Sequence, residues 1–375
     1  MPTQRSPGMQ SEQEAIIESM LDRSFGAPFL FIPRKYRKGS AHREPADLAW
    51  LCNGLVALFY FTRSTAALDQ QVEHNLRQAK GYLRLWRTGD ATYALRGKNR
   101  FGDECHVPFK NVTHHLTFIV VSAPCGIQVF RTSENDKPTL TVVLNESVLS
   151  AISEFGGSLV DLLCIVAADI KNKNDSTFEA GSHENRHEQT KRTIAQYVSR
   201  AINQADPYRK YFNGNMEKDF QFMLERLQRL RLPSRTGKAI ENRENRESFA
   251  SLFADMQLTE YATLSTLAAE AIALSEPPNF KKWIIARTQN PYHDFVVATV
   301  CFGASNTSDI IEEAIAASRP GVDRDEAALF IYGNMYNFND YRKPIMMGLP
   351  SNRKKPQAEH ITESLLANHP KDTHA

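Results

Sequence analysis

The run from Arg43 to Arg63 reads REPADLAWLCNGLVALFYFTR. Its second half, Leu55 to Phe61, is almost continuously apolar and aromatic, the pattern of a strand buried on both faces rather than one that alternates between core and solvent. Asn53-Gly54 separates it from a shorter apolar run, Ala46 to Cys52. An Asn-Gly pair between two such runs predicts a tight hairpin, because both residues tolerate the positive φ that the turn needs. One carboxylate, Asp47, stands at the entry to the first strand. The stretch therefore predicts an interior hairpin with an acid at its mouth.

Outward from this hairpin the chain alternates helix and strand patterns. Asp69 to Arg87 carries Val72, Leu76, Ala79, Leu83 and Trp86 on one stripe, flanked by Glu73, Arg77, Lys80, Arg84 and Arg87, which predicts an amphipathic helix. Upstream, Glu12 to Leu21 has a helical stripe of Ile16, Ile17, Met20 and Leu21 behind a Ser11 cap. Ser24 to Pro33 follows, and then a basic loop, RKYRKGSAHR, over Arg34 to Arg43. Downstream, strands are expected at Leu116–Ser122, Ile127–Phe130 and Leu140–Leu144. A helix interrupted near Gly156-Gly157 is expected over Ser147–Ile170.

Restriction-type nucleases need two or three carboxylates converging on Mg²⁺, with a lysine near the attacking water. The metal stabilises charge on the phosphate and acidifies its bound water. In the usual order a helix supplies one acid, a strand supplies Asp, and the next strand supplies Glu-x-Lys, whose Glu and Lys share a face because side chains alternate along a strand. Here the order is a helix bearing Glu14 or Glu18, a strand entered through Glu44-Pro45-Ala46-Asp47-Leu48, an Asn-Gly turn, a second strand and a long helix. In this it resembles the PD-(D/E)xK superfamily, and in particular its nuclease-related branch. Ser24 to Pro33 and LNESVLSAISEFGGSLVDLL (Leu144 to Leu163) are similar to further segments of that group, so the likeness covers roughly residues 1–170. It implies a restriction-endonuclease-like α/β fold, a mixed sheet flanked by helices. It also implies a metal-dependent nuclease, a hydrolase cleaving phosphodiester bonds in DNA with Mg²⁺ (or Mn²⁺), in a setting such as bacterial anti-phage defence.

One departure divides the functional reading. Where Glu-x-Lys is expected the chain reads Tyr60-Phe61-Thr62-Arg63. With Phe61 in the place of Glu, no metal ligand remains there, and Arg63 in the place of Lys stays charged and shuttles protons poorly. In one reading the carboxylate has moved to the following helix. Asp47, Glu73 and Glu14 then hold the metal, Arg63 contacts the scissile phosphate and Gln78 stands one turn beyond Glu73. In the other, metal binding is lost and the fold holds nucleic acid or a protein partner. In bland terms, Asp47 caps or pairs near Arg43, Glu73 is a solvated charge beside core Val72, and Glu14 is one acid on an exposed helix face.

Nucleic-acid contact is expected from Arg34, Lys35, Arg37 and Lys38 before the acidic strand, and from Arg77 and Lys80 on the helix, since Lys and Arg neutralise phosphates without sequence choice. A competing motif, His183-Glu184-Asn185-Arg186-His187, satisfies HExxH, in which two His bind zinc and Glu activates water as in zinc peptidases. Its polar flanks and the intervening Arg186 favour a solvated helix start instead. Ser234 to Ala239 lacks the leading Gly of a P-loop.

Composition bounds these readings. A formal charge of +2 excludes a polybasic coat, so any nucleic-acid surface must be local. The 5 cysteines show no CxxC spacing, which argues against a zinc ribbon and a disulfide framework. No stretch approaches the length of an apolar membrane span and the first residues show no signal core, so a soluble cytoplasmic protein is expected, without membrane contact but with a homo-oligomer or a defence-system protein as an open partnership. The expected domains are a nuclease-like α/β domain over 10–170, a mainly helical region over 190–285, a small α/β element over 286–350 and a disordered tail over 351–375. The polar run Lys171 to Arg192 reads as a linker or an exposed helix start.

Overall fold

The computed structural model describes residues 15–21, 29–52, 54–99, 104–132, 139–154, 157–175, 183–205, 283–290, 293–302, 327–335, 345–349 and 357–368, with a few single positions between them. Glu14, the helical patterns at 216–230 and, apart from residues 257–259, at 247–274, and the expected helix at 308–317 lie outside the described residues.

Strand β5 (Leu55–Thr62) is the centre of the first unit, and every one of its residues is buried. It pairs antiparallel with β4 (Leu48–Cys52), which pairs antiparallel with β1 (Leu30–Pro33). Gly54 makes the β4–β5 turn at φ 84°, and a Cβ there would meet the Thr113 hydroxyl at 2.9 Å, so both backbone and space demand glycine. After β5 the chain crosses over through helix α1 (Leu68–Trp86) and returns as β8 (His114–Val121), parallel to β5.

Strands β6 (Leu95–Lys98) and β7 (Glu104–Val107) extend the β1 edge; β10 (Thr139–Asn145), parallel to β8, and β9 (Gln128–Thr132) extend the other. The result is an eight-stranded mixed sheet in the order β7-β6-β1-β4-β5-β8-β10-β9. The expected strands and the long helix are thus present within a few residues of their expected bounds. The basic loop is not a loop: Tyr36–Lys38 (β2) and Ala41–Arg43 (β3) pair as a separate two-stranded ribbon.

Helix α1 covers one face of the sheet. Ala79, Tyr82, Leu83 and Trp86 pack on Ala49, Val56, Leu58 and Tyr60, while Leu68, Val72 and Leu76 pack toward Ile119, Val121 and Val143. Burial of this order stabilises by about 1.5–3 kcal/mol per large apolar side chain before entropy is charged against it. Helices α2 (Glu146–Glu154), α3 (Leu159–Asp175) and α4 (His183–Ala205) follow. Ser158 caps α3 with Asp161 in a reciprocal box: Asp161 accepts from the Ser158 amide and hydroxyl, and also from the Tyr197 hydroxyl at 2.6 Å. Residues 15–21 are helical, and Ser19 meets Ser153 of α2 at 3.1 Å.

Two expectations of domain organisation are corrected. The first unit does not stop at 170; it runs to Tyr197 and takes in residues 358–375. Most of the polar stretch 171–192 is helical, as the end of α3 and the start of α4. The region 351–375 is not wholly a disordered tail: Gln357–Asn368 is a helix, α5, that packs on the first unit through Ile361, Leu365 and Leu366. The Thr113 hydroxyl donates to Glu359, His114 lies 3.2 Å from Glu363, and Arg131 donates to the Leu366 carbonyl.

The second unit, residues 198–357, contains a four-stranded sheet, β11 (Trp283–Asn290), β12 (His293–Phe302), β13 (Ala327–Met335) and β14 (Ile345–Leu349), in that order. The parallel pairing of β12 and β13 agrees with the expected βαβ element there. Among the described residues no helix is long and apolar enough to cross a membrane.

Candidate functional site

The C-terminal ends of the parallel strands β5, β8 and β10 lie side by side, and β4, running the other way, brings its first residues to the same end. In open α/β sheets this carboxyl end is where ligands are held. Asp47 stands there. Its amide donates to the Phe59 carbonyl at 3.0 Å, and its Oδ2 accepts from the Phe61 amide at 2.7 Å. Asp47 lies in a bend just before β4, and its amide bonds the Phe59 carbonyl although Leu48 is already the partner of Phe59, so the strand register does not run on through it. By alternation along β5, Tyr60 and Thr62 share with Val56 and Leu58 the face that α1 covers, and Phe61 points to the other.

Beside the Asp47 carboxylate, β5 places the Phe61 amide and the Tyr60 phenol, and no acid. The Tyr60 ring is fully buried. Burial, then Tyr82 and Asp47, push its phenol well above the ordinary range, so it stays protonated, and its hydroxyl has no hydrogen-bond partner among the described residues. The Thr62 hydroxyl donates to Asn75 Oδ1 at 2.8 Å, and Asn75 Nδ2 reaches the Tyr60 carbonyl at 3.5 Å. One turn earlier on α1, Gln71 Nε2 donates to the carbonyls of Ser64 and Ala66, which fixes the approach to the helix in place of a side-chain cap. Gln71 and Asn75 are buried, while Gln78, on the next turn, is half-buried.

Among the described residues, the other expected acids and Arg63 face solvent or are engaged elsewhere. Glu73 lies about 200° around the helix from both Gln71 and Asn75. Its side chain is exposed and pairs loosely with Arg77 at 3.8 Å. Arg63 makes a bidentate, largely buried pair with Glu146 at the start of α2, at 2.7 and 2.6 Å, so its charge is met within the fold. Glu18 is exposed on the short helix.

The chemistry of this donor set does not fit Mg²⁺. The ion takes hard, charged oxygens at about 2.1 Å, whereas the groups that β5 brings to Asp47 are a backbone amide and a phenol that keeps its proton, and the Thr62 hydroxyl and Asn75 amide are bonded to each other. Among the described residues no three His, Cys, Asp or Glu side chains converge.

Sequence reading missed Gln71 and Asn75, although a signal was present: they continue the buried i+4 series of Ala79 and Leu83 backward along α1 with polar residues.

The expected basic residues divide. Arg34 and Lys98 both pair with Glu104, whose carboxyl they hold below its usual range, and Lys35 pairs with Glu44, which raises the amine. Arg37, Lys38 and Lys80 are exposed and have no carboxylate partner among the described residues. The HExxH segment forms the first turn of α4, but its inner side is docked: His187 Nδ1 lies 3.1 Å from the Cys125 carbonyl, and Thr190 accepts from the Ile127 amide and donates to Asp169. A Cβ on Gly126 would meet Arg186 Cβ at 2.8 Å, so the helix is pressed against this loop rather than open to a substrate. His115 is buried against the edge of Trp86 and faces Thr139, and burial pushes its ring down to about 3. Comparison of the chain with protein-family models, with curated proteins and with solved structures gives no match.

Proposed function

We propose that the first unit is a restriction-endonuclease-like domain whose metal-binding positions have been replaced, and that it works by holding nucleic acid rather than by cutting it. Its likeness to that fold is supported by the order of elements: a helix, the antiparallel strands β1, β4 and β5, the crossover helix α1, and β8 parallel to β5. Asp47 enters the middle strand of the three, where the acid of a metal-dependent nuclease is expected. The observation that carries the loss of cleavage is that β5 brings buried Tyr60, Phe61 and Thr62, the last bonded to Asn75, to the end of the sheet where Asp47 stands, and no Glu or Lys. With Glu73 turned outward and Arg63 bound to Glu146, neither residue offers a replacement. The exposed basic residues within this unit, Arg37, Lys38 and Lys80, support nucleic acid as the partner.

The test is incubation of the purified chain and its Asp47→Ala variant with plasmid DNA and Mg²⁺ or Mn²⁺, followed by a gel-shift measurement. The expected result is no metal-dependent cleavage by either protein and equal retardation by both. Cleavage that requires the metal and disappears in Asp47→Ala would overturn this reading and restore a DNA endonuclease built on Asp47.

A further inference from the structure

The β2–β3 ribbon differs from every other strand pair of the first unit. It hydrogen-bonds to no strand of the eight-stranded sheet. Tyr36 anchors its root: the ring is buried, 5.4 Å from Tyr82 and 5.8 Å, edge-on, from Tyr93. Beyond that root, residues 37–43 are all exposed. Gly39 makes the turn at φ 61°, with open space where a Cβ would be, and Arg37 Nε braces it by donating to the Gly39 carbonyl.

Packing therefore dictates nothing about the residue types in 37–43, yet these include Arg37, Lys38, His42 and Arg43 and no acid. None of the four has a carboxylate partner among the described residues, whereas the basic residues just outside the ribbon, Arg34 and Lys35, are neutralised by Glu104 and Glu44. Across the ribbon Arg37 faces His42, and Arg43 faces Tyr36. A projecting strand pair with its charges uncompensated presents a surface for a polyanion.

Shape selects among polyanions. Two strands lie about 4.8 Å apart, and with side chains the pair fills a groove about 12 Å wide, the dimension of the B-DNA major groove. The major groove of A-form RNA is too narrow and deep to admit it, and a single strand offers no pair of phosphate walls. We propose that the β2–β3 ribbon enters the major groove of duplex DNA, with Arg37, Lys38 and Arg43 meeting backbone phosphates. This rests on the nucleic-acid reading above and names the element and the form of nucleic acid.

The experiment is fluorescence anisotropy on the full chain with a labelled duplex DNA, its single strand and an RNA duplex of the same sequence, each across a salt series. The triple variant Arg37→Ala/Lys38→Ala/Arg43→Ala is compared with Lys110→Ala/Lys191→Ala/Arg192→Ala, which removes equal charge from exposed sites elsewhere. Thermal melts of both check that folding is intact. The ribbon variant is expected to weaken duplex DNA binding by about tenfold or more and to reduce the slope of log K against log salt by about 2–3, since each phosphate contact contributes about 0.9. The comparison variant should change affinity less than about threefold. Equal losses in the two variants, no loss in the ribbon variant, or tighter binding of the wild type to RNA duplex or single strand would each overturn the ribbon proposal while leaving a nucleic-acid binder standing. Failure of the wild type to bind any of the three would overturn the nucleic-acid reading itself.

Discussion

The chain turns back on itself twice between Tyr36 and Thr62, through Gly39 in one hairpin and Gly54 in the other, both at positive φ. Each turn has a glycine at positive φ, the first of the two turn residues in the ribbon and the second in β4–β5, and their surroundings are opposite. In β4–β5 every residue of the second strand is buried. In β2–β3 Tyr36 is buried and the rest is exposed. Residue choice in the buried hairpin answers to packing, so its leucines and phenylalanines are silent about function, and only the polar exceptions Asp47, Tyr60 and Thr62 speak. In the exposed ribbon packing asks for an anchor and a turn glycine, so the basic residues left over report on what it meets.

The largest effect that distinguishes the hairpins is expected at Leu58, which is buried between the strands and α1. Leu58→Ala should lower unfolding free energy by about 3 kcal/mol, the typical result of emptying a packed core site. Urea unfolding should show this as a lower midpoint with an unchanged slope. A loss below about 1 kcal/mol would mean that the hairpin is not part of the core.

Next comes acid sensitivity. His115 lies opposite Val56 of the buried hairpin, and its ring is held at about 3 by burial. In the unfolded chain the same ring titrates near 6.5. Because the folded value is depressed, the unfolded state takes up the proton first. Stability from this group is complete above about pH 6.5 and falls as the pH drops toward 3, by up to about 1.4 kcal/mol per pH unit. Unfolding midpoints measured from pH 7 to pH 5 should show this fall, and His115→Phe should flatten it. An identical pH dependence in the variant would place the imidazole in water instead.

The smallest effect compares the glycines. Gly39→Ala meets open space and should cost about 1 kcal/mol for the left-handed backbone. Gly54→Ala carries the same backbone cost and also drives Cβ into Thr113, so it should cost about 1 kcal/mol more. Thermal melts of both decide it, and equal shifts would mean that the Gly54 turn is as free as the Gly39 turn.

How far the sequence carries can be read from the same residues. The bounds of β5 were legible because an unbroken apolar run closed by Arg63 has few alternatives. Its phase was not. Alternation fixes which side chains face which way only when one face is polar, and LVALFYFT is buried on both. A one-residue slip exchanges Tyr60 and Thr62 for Phe61 and Arg63, and long-range contacts, the Thr62–Asn75 hydrogen bond and the packing of Tyr60 with Tyr82, set it. The outward turn of Glu73 is legible in the sequence, since at about 100° per residue it stands about 120° or more around the helix from Ala79, Tyr82 and Trp86. Helix α5 was hidden for a different reason: its apolar residues are few, and the partners that make it a helix, His114 and Arg131, lie far away in the chain.

Helix α5 has a consequence in time. It belongs to the first unit but is translated after the second, so residues 198–357 must emerge between the two parts of one body. At synthesis rates of about 5–20 residues per second, that interval lasts roughly ten to thirty seconds. During it the surface around Thr113, His114 and Arg131 is made but uncovered, an interval in which a chaperone or a neighbouring nascent chain has access to it.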